Sequence, residues 1–208
     1  MKLAIFGATG SVGRHIVEQA LDQGHQVTAV ARSPQALSLL HPNLKMFAVD
    51  VFDPEAVALA IKGAEAVLVT LGSPKMSGTV RSTGTRHIVA AMQKQGVKRL
   101  VCQTTLGAGD SRGNLDFIWK YIMFGVLLRK VLKDHEVQEG IVRTSNLDWS
   151  IVRPAAFTDG PMTNNFKSGF PAGDRDLTLK ISRADVAQFM LQQLDSDEWL
   201  HKAPGLSY

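Results

Sequence analysis

Cysteine is almost absent from the 208-residue sequence, and the only one is Cys102. A single cysteine excludes an internal disulfide framework. The six histidines lack ligand spacing with one another or with Cys102, so we predict no metal site. The N-terminal residues have the pattern of a core strand and not of a cleavable apolar leader. We therefore expect the protein to work in a reducing cytoplasm.

A long hydrophobic run is also missing. The most apolar stretch, residues 117–128, contains Lys120 and is much shorter than the ~20 residues that a membrane helix needs. We interpret this stretch as a buried or site-lining helix. The formal net charge is +4, but the lysines and arginines are scattered and form neither a basic stripe nor an aromatic platform. We expect a small anionic ligand, and neither a membrane nor a nucleic acid as partner.

No linker rich in proline, serine or glycine divides the sequence, which also lacks internal repeats and low-complexity tracts. Hydrophobic residues make up 45% and charged residues 20% of the chain, so it can bury one core of substantial size. We expect a single domain over residues 1–208.

Strand-like apolar runs alternate with helical segments along most of the chain. Strands are predicted at residues 2–6, 26–31, 44–49, 65–71, 98–103, 148–152 and 177–181. Helices are predicted at residues 13–23, 34–40, 54–61, 79–95 and 183–194, and residues 114–144 have helical composition broken only by Gly125 and Gly140. This alternation predicts an α/β fold, a doubly wound (Rossmann) parallel sheet with helices on both faces.

A glycine turn follows the first predicted strand directly. Gly7, Gly10 and Gly13 have the spacing G-x-x-G-x-x-G, and a helix begins at once. In dinucleotide-binding folds such glycines allow a tight turn, let backbone N–H groups approach a pyrophosphate and let the helix pack on the strand. The standard spacing is G-x-G-x-x-G, and an ordinary glycine-rich turn is the alternative. The strand and helix that follow favour the nucleotide interpretation.

The end of the second predicted strand indicates which coenzyme is bound. Arg32 and Ser33 lie about twenty residues beyond the last glycine, where NAD-preferring folds place a carboxylate for the ribose 2′-hydroxyl. A guanidinium suits a 2′-phosphate instead, and Ser33 can add a hydroxyl and a backbone donor. We therefore expect NADPH, with a merely solvated Arg32 as the alternative.

Ligands of such sheets lie at the carboxyl ends of the strands, near the point where the strand order reverses. Asp50 and Val51 follow the third strand and can contact the adenine, although Asp50 can instead cap the next helix. Gly72 follows the fourth strand and can let backbone pass beside the cofactor ribose. A plain turn through Gly72 and Pro74 is the alternative.

The fifth and sixth strands end at candidates for the reacting end of the site. Thr104 and Thr105 are the best candidates for hydroxyls that face the nicotinamide and the substrate, although paired threonines are also ordinary strand residues. Pro154 and Ala155 form a rigid corner that can support the nicotinamide or be a structural turn. Arg153 can be simply an ion-pairing residue.

Eight short stretches carry a resemblance to a known family: residues 4–10, 30–32, 50–51, 66–69, 88–92, 134–135, 181–182 and 189–191. They resemble the biliverdin-IXβ reductases, also called NADPH-dependent flavin reductases, an atypical branch of the short-chain dehydrogenase/reductase superfamily. The resemblance extends over nearly the whole chain. It implies a monomeric reductase that transfers hydride from NADPH to a flavin or a linear tetrapyrrole. By position, it implies that NADPH is held by Thr9, Gly10, Ser11, Val12, Arg32, Asp50, Leu71, Gly72, Ser73 and Pro154.

The sequence departs from that family at three places. Thr105 falls where the family has a serine hydroxyl beside the substrate, which is a mild chemical change. Ala155 falls where the mammalian protein has a histidine, so the contribution of that imidazole is absent. The loop at residues 107–113 is rich in glycine where the family is apolar.

A catalytic Tyr-x-x-x-Lys pair is missing before the sixth strand. Carbonyl reductases and epimerases of the superfamily use the tyrosine to transfer a proton and the lysine to lower its pKa. Here residues 131–135 read Val-Leu-Lys-Asp-His. An extended conjugated acceptor spreads the added electrons and can take its proton from water. The absence therefore favours flavins or bilins over simple ketones and sugars.

His135 can supply a proton or contact the cofactor, since its ordinary pKa is near neutrality. Its alternative is a helix-surface histidine bonded to a neighbouring loop. We expect residues 106–125 and 155–180 to contribute the substrate site. Four aromatic residues can wall a flat substrate or belong to the core, namely Phe117, Trp119, Tyr121 and Phe124. Four cations can meet propionates or a flavin phosphate, or be solvated, namely Arg112, Lys120, Lys167 and Arg175.

Two functions are compatible with these residues. The first is an oxidoreductase in which hydride passes from NADPH to a planar acceptor. The second is an NADPH-sensing regulatory protein that resembles the NmrA-like regulators and binds the coenzyme without turnover.

Overall fold

The computed structural model describes residues 1–73, 78–174 and 176–208. The strands in these residues are β1 Lys2–Phe6, β2 Gln26–Ala31, β3 Leu44–Ala48, β4 Ala66–Val69, β5 Arg99–Gln103, β6 Asp148–Pro154, β7 Ala156–Thr158, β8 Lys167–Ser168, β9 Lys180–Ser182 and β10 Gly205–Ser207. The α-helices are α1 Gly13–Asp22, α2 Pro54–Ile61, α3 Val80–Gln95, α4 Arg129–Arg143 and α5 Arg183–Gln192. Other helical segments are the 3₁₀ turns Pro34–Leu37 and Gly109–Asn114 and the π-helix Ile118–Leu127.

Eight strands form one sheet in the order β3-β2-β1-β4-β5-β6-β10-β8. All neighbours in it are parallel except the edge pair of β10 and β8. The strand order reverses between β1 and β4, because β1 lies beside β2 on one side and β4 on the other. This reversal opens a crevice at the carboxyl ends of β1 and β4. The predicted doubly wound α/β fold is confirmed.

Both faces of the sheet are covered, because successive residues of a strand point to opposite faces. Leu3 and Ile5 of β1 belong to the core that includes residues of α1 and α5. Ala4 and Phe6 belong to the core that includes residues of α2 and α3. Burial on both faces explains why β1 and β4 are runs of apolar residues without alternation.

The glycine turn after β1 is wedged between neighbouring strands. Gly7 has a positive φ of 83°, and its N–H donates to the carbonyl of Val30 over 3.0 Å. A Cβ at Gly7 would lie 2.5 Å from the carbonyl oxygen of Thr70. A Cβ at Gly13 would lie 2.1 Å from the carbonyl oxygen of Gly7, so only glycine lets α1 begin so close to the turn.

Two predicted helices differ from the structure. The helix predicted at residues 34–40 is only the 3₁₀ turn Pro34–Leu37, because Ser38 has a positive φ of 54°. The predicted break of the segment 114–144 at its glycines is wrong. The π-helix ends at Leu127 and α4 begins at Arg129, whereas Gly140 lies inside α4.

The C-terminal half contains strands that the sequence pattern missed. The strands β7, β8 and β10 have two or three residues each, which is too short for alternation to be visible. The strand predicted at residues 177–181 is β9, which begins only at Lys180 because Leu179 has a positive φ of 55°.

Asp185 ties these short strands together. Its buried carboxylate accepts hydrogen bonds from the hydroxyls of Tyr208 (2.6 Å), Thr163 (2.9 Å) and Ser182 (3.0 Å), and from the N–H of Asn164 (2.9 Å). Burial alone would raise the pKa of Asp185, but these hydrogen bonds outweigh it and lower the pKa. One carboxylate therefore fixes the chain that follows β10, the start of α5 and the loop after β7.

Candidate functional site

A cavity of about 1080 Å³ lies at the carboxyl ends of the parallel strands, where the strand order reverses. Pockets of ~300–1,000 Å³ hold drug-sized ligands, so this cavity has room for an extended coenzyme. The predicted site residues that line it are Gly7, Thr9, Gly10, Ser11, Val12, Arg32, Asp50, Val51, Leu71, Gly72, Ser73, Thr104, Thr105, His135, Pro154 and Ala155. Ser33 does not line it.

The glycine turn presents backbone donors at one end of the cavity. The N–H groups of Ser11 and Val12 make no hydrogen bond to any residue that the structure describes. They stand at the start of α1, which has no acidic residue in its first turn. Unused N–H groups and the positive end of a helix together favour a bound anion such as a pyrophosphate.

Arg32 lies exposed at the rim of the cavity, just after β2. Its side chain makes no hydrogen bond or ion pair within the described parts of the chain, so the guanidinium is available for a ligand. Ser33 precedes the 3₁₀ turn and makes no capping hydrogen bond through its side chain. Arg14, which sequence reasoning missed, donates to the carbonyls of Thr9 and Ala36 and ties the glycine turn to the segment after β2.

The end of β3 places an exposed carboxylate at the cavity. Asp50 accepts a hydrogen bond from the N–H of Phe52 over 3.0 Å. The alternative that Asp50 caps the next helix is wrong, because Asp53 caps α2 and accepts from the N–H groups of Glu55 and Ala56.

Val51 and Leu71 form a packed apolar wall of the cavity. A Cβ at Gly84 of α3 would lie 2.9 Å from Val51 Cγ2 and 2.6 Å from Leu71 Cδ1, so a glycine is needed behind this wall. Gly72 follows, and a Cβ there would meet no atom of the described residues within 4 Å. The predicted turn through Pro74 lies outside the described residues.

Thr104 and Thr105 differ in where their hydroxyls point. The Thr104 hydroxyl is buried and donates to Oε1 of Glu139 over 2.8 Å. Thr105 is half-buried, and its hydroxyl makes only a 3.3 Å contact with the carbonyl of Leu106. Thr105 is therefore the threonine whose hydroxyl is more readily available to a ligand.

Arg153 is buried and holds the segment after β5 against α4. Its Nε and Nη2 donate to Glu139 over 2.8 and 2.6 Å, and its Nη1 donates to Asp110 over 2.5 Å. A Cβ at Gly109 would lie 2.7 Å from Nη2 of Arg153. The ion-pairing interpretation of Arg153 is what the structure shows.

The far wall of the cavity is apolar and includes aromatic rings. Trp119 and Phe124 line the cavity, and their ring centroids are 5.8 Å apart. Tyr121 is exposed on the outside of the π-helix, and Phe117 is exposed directly before the helix begins. The interpretation of residues 117–128 as a buried or site-lining helix is thus correct for the face that carries Trp119 and Phe124, whereas the opposite face is exposed.

The four cations predicted to meet the substrate are not the ones that the structure places at the cavity beside Arg32. Arg112, Lys120 and Lys167 do not line it, and Arg175 lies outside the described residues. Arg81 and Arg183 line it instead, and the Nε of each is buried without a hydrogen-bond partner in the described chain.

The positions of Arg81 and Arg183 in the sequence could have identified them as candidate ligand-binding residues. Arg183 is the first residue of α5 and Arg81 the second of α3, where the helix dipole disfavours a cation. Arg81 lies 3.6 Å from the buried carboxylate of Asp134, and Arg183 lies 2.6 Å from Asp159.

His135 lies on α4 and lines the cavity with only 7% of its surface exposed, so the surface alternative is wrong. Its Nδ1 lies 3.2 Å from Oε1 of Gln138, whose Nε2 donates to Thr85 over 3.1 Å. Burial and the nearby Arg81 cation lower the pKa of His135 to about 4. The imidazole is therefore neutral at pH 7 and holds no imidazolium proton for an acceptor.

A family model described as NAD(P)H-binding matches residues 7–197. The chain belongs to this family. The coenzyme prediction is thereby confirmed as far as binding of NAD(P)H. The resemblance noted from the sequence is consistent with this membership.

The curated relatives of this NAD(P)H-binding chain include the photosystem II assembly factor Ycf39 of Synechocystis. The identity is 26% over 214 residues, which cover 97% of this chain and 61% of that protein. This chain therefore spans less than two thirds of that relative's length. The uncharacterized sugar epimerase YhfK of Bacillus subtilis is 27% identical, over 100% of this chain and 94% of that protein.

The solved structures that are similar include ChuY, an anaerobilin reductase from Escherichia coli O157:H7. It has a TM-score of 0.84 and 26% identity, over 100% of this chain and 97% of that one. A short-chain dehydrogenase/reductase of Veillonella parvula in complex with NADP also has a TM-score of 0.84, at 17% identity, over 100% and 94% of the two chains. The second similarity supports the fold alone.

The site fits a nicotinamide coenzyme of this NAD(P)H-binding family. The N–H groups of Ser11 and Val12, which bond to no described residue, suit the pyrophosphate, and the guanidinium of Arg32, which has no partner within the described ranges, suits a phosphorylated ribose. No atom of the described residues would lie within 4 Å of a Cβ at Gly72, which lines the cavity. The described part of the chain therefore leaves donors and space for a ligand.

The pH dependence of stability is expected to report the burial of His135. The ordinary pKa of histidine is 6.5, and the pKa of His135 in the folded protein is about 4. Between pH 6.5 and about pH 4, the unfolded chain therefore binds a proton at His135 that the folded protein does not bind. Stability therefore decreases as the pH falls through this range, by roughly 3 kcal/mol in total from this group. Urea unfolding at pH 7.5 and pH 4 should show this additional loss in the unmodified protein and not in His135→Gln. Parallel pH dependences of the two proteins would contradict the prediction.

Proposed function

We propose that this protein is an NADPH-dependent reductase that transfers hydride to a planar conjugated acceptor, either a flavin such as FMN or a linear tetrapyrrole of the biliverdin type. Membership of the NAD(P)H-binding family and the similarity to ChuY support an oxidoreductase. The acceptor class is our inference from the residues that line the cavity.

The observation that carries this proposal is where the tyrosines lie. The chain has two, and neither lines the cavity. Tyr121 is exposed on the π-helix, and Tyr208 donates its hydroxyl hydrogen to buried Asp185. No tyrosine can therefore protonate an alkoxide, as the reduction of an isolated ketone requires. A conjugated acceptor spreads the charge and can be protonated from water.

The side chains of the cavity have distinct tasks in this proposal. NADPH, when bound, supplies the hydride. Trp119 and Phe124 give the acceptor an aromatic wall, which favours a flat ring system. The Thr105 hydroxyl is placed to bond the acceptor or the nicotinamide, and neutral His135 positions them without giving up a proton. Thr104 acts indirectly, because its hydroxyl holds Glu139.

Arg81 and Arg183 extend the proposal to the charge of the acceptor. Each brings a guanidinium with an unpartnered Nε to the cavity. A guanidinium binds a carboxylate or a phosphate through paired hydrogen bonds. The propionates of a linear tetrapyrrole and the phosphate of FMN are such groups.

We further propose that residues 1–208 act as one coenzyme-binding domain. Leu106, Leu115 and Trp119 line the cavity from the segment 106–125, and Ala156 and Phe157 line it from the segment 155–180. This supports the assignment of the substrate site to those two segments. We also propose that the protein is a monomer and that it works in the reducing cytoplasm.

The reaction is tested by following NADPH absorbance at 340 nm with FMN, biliverdin or a quinone as acceptor. We expect saturable turnover with at least one of them and none with cyclohexanone. Tight NADPH binding without turnover on any flavin, bilin or quinone would reject the reductase and favour the coenzyme-sensing alternative.

The role of Arg183 is tested with FMN and riboflavin, which share a ring system and differ by the phosphate. Arg183→Gln should raise the KM for FMN about tenfold and leave that for riboflavin nearly unchanged, since one charged hydrogen bond contributes about 1.5–3 kcal/mol. Arg112→Gln, at an exposed site away from the cavity, is the matched control. Equal changes for FMN and riboflavin would show that Arg183 does not bind the phosphate.

A further inference from the structure

Six large apolar side chains are exposed together, five on the π-helix and one on the residue that precedes it. They are 46–72% exposed, and we call them the apolar face: Phe117, Ile118, Tyr121, Ile122, Val126 and Leu127. Of the fourteen large hydrophobic side chains exposed in the described parts of the chain, six are therefore within eleven consecutive residues. Scattered exposed hydrophobic residues are ordinary, but a contiguous patch marks an interaction surface.

The π-helix carries apolar side chains on both its inner and its outer side. A helix at the solvent-exposed surface of a protein ordinarily has a polar outer side. Its inner side carries Trp119 and Phe124, which line the cavity. On its outer side the rings of Phe117 and Tyr121 have centroids 5.0 Å apart. A helix that is hydrophobic all round requires a second apolar environment for its outer side.

Basic residues lie within the segment that carries the apolar face and directly after it. Lys120 lies 5.5 Å above the ring of Tyr121, and Arg129, Lys130 and Lys133 are exposed on the first turns of α4. No acidic residue occurs from residue 117 to residue 133, so this segment has a formal charge of +4. The carboxylate of Asp116, immediately before it, accepts a hydrogen bond from the N–H of Trp119.

This combination of groups suits one occupant best. Side chains such as Phe, Tyr and Ile enter the boundary of a bilayer, while flanking Lys and Arg contact anionic headgroups. Each basic residue near an anionic surface contributes about 1 kcal/mol. A second copy of the chain suits the surface less well, because a two-fold contact would bring cations against cations.

We propose that the apolar face and its four flanking cations dock the protein on the surface of an anionic phospholipid bilayer. The contact is peripheral, because no helix in the described residues is long and apolar enough to cross a membrane. The sequence suggested no membrane contact because the run is short. A short run excludes a spanning helix but not an interfacial one.

Docking would bring the cavity close to the bilayer. The helix whose outer side carries the apolar face forms part of the cavity wall with its inner side, so the proposed acceptor site would lie close to the headgroups. This consequence rests on the proposed reductase function, whereas the docking itself does not.

The proposal is tested by flotation of the full chain with lipid vesicles. Vesicles of phosphatidylcholine and phosphatidylglycerol in equal parts should bind the protein at least tenfold more tightly than vesicles of phosphatidylcholine alone. Raising the salt from 0.05 to 0.5 M should weaken the binding, because headgroup charges are then screened. No binding to the anionic vesicles, or equal binding to both kinds, would overturn the proposal.

Two double variants separate the apolar and the charged contributions. Ile122→Ser with Val126→Ser should reduce vesicle binding about tenfold or more, and Lys130→Glu with Lys133→Glu should do the same at low salt. Leu59→Ser is the control, because Leu59 on α2 has an exposed fraction between those of Ile122 and Val126. This variant should leave vesicle binding unchanged. Calorimetric NADP⁺ binding and thermal melting verify that each variant is folded.

Sedimentation equilibrium tests the alternative occupant. A dimer that forms in the unmodified protein and is lost in the serine variant would assign the apolar face to a second copy and overturn the proposal. A monomer at all concentrations, together with binding to anionic vesicles, supports it. Vesicle binding without turnover on any acceptor would leave docking intact and reject only the reductase.

Discussion

Replacing Glu139 with alanine is expected to lower the free energy of unfolding by about 3–5 kcal/mol. Glu139 accepts two hydrogen bonds from Arg153, which is only 2% exposed, and one from the hydroxyl of Thr104. Without Glu139, the buried guanidinium of Arg153 keeps Asp110 as its one ion-pair partner among the described residues, and the carboxylate of Asp110 is largely exposed. Urea unfolding followed by circular dichroism measures the loss.

Glu136→Ala provides a matched control on the same helix. Glu136 is half-buried and makes no side-chain hydrogen bond or ion pair with the residues that the structure describes. Its removal should change the free energy of unfolding by less than about 1 kcal/mol. Similar losses of unfolding free energy in the two variants would show that the carboxylate of Glu139, despite its ion pair with Arg153, stabilises the fold no more than the carboxylate of Glu136 does.

Arg32→Ala is expected to weaken binding of NADP⁺ by about 10- to 100-fold and binding of NAD⁺ by less than about threefold. The exposed guanidinium has no partner in the described chain, so its hydrogen bonds are available to the 2′-phosphate that only NADP⁺ carries. Hydrogen bonds to charged groups contribute about 1.5–3 kcal/mol. Isothermal titration calorimetry with both coenzymes measures the difference.

Arg86→Ala controls for the loss of one positive charge, since Arg86 is exposed on α3 and does not line the cavity. Binding of both coenzymes should be unchanged in this variant. Equal weakening of NADP⁺ and NAD⁺ by Arg32→Ala would show that this arginine does not bind the phosphate. The expected preference for NADPH over NADH, which was inferred from Arg32, would then also be rejected.

The local features of the fold were predictable from the sequence. The predicted strands that became β1 to β6 each lie within two residues of the observed bounds at either end. The pattern was readable because these strands are mostly apolar runs between helices, and all except the edge strand β3 are largely buried. The glycine turn was also readable, because the positive φ at Gly7 and the close approach at Gly13 restrict those positions to glycine.

Contacts between distant residues were not predictable in this way. Thr104 and Thr105 are chemically the same, and their hydroxyls differ because Glu139, 35 residues further on, accepts from one of them.

The sequence by itself determined the alternation of strands β1 to β6 with helical segments, the glycine turn after β1, and the residues that follow these strands. These depend on neighbours along the chain, through hydrophobic periodicity and allowed backbone angles. Only the tertiary structure brought Arg81 and Arg183 to the cavity, buried His135 and left one side of the π-helix uncovered. Burial and charge pairing depend on what packs against a residue from elsewhere in the chain, and that information is not local.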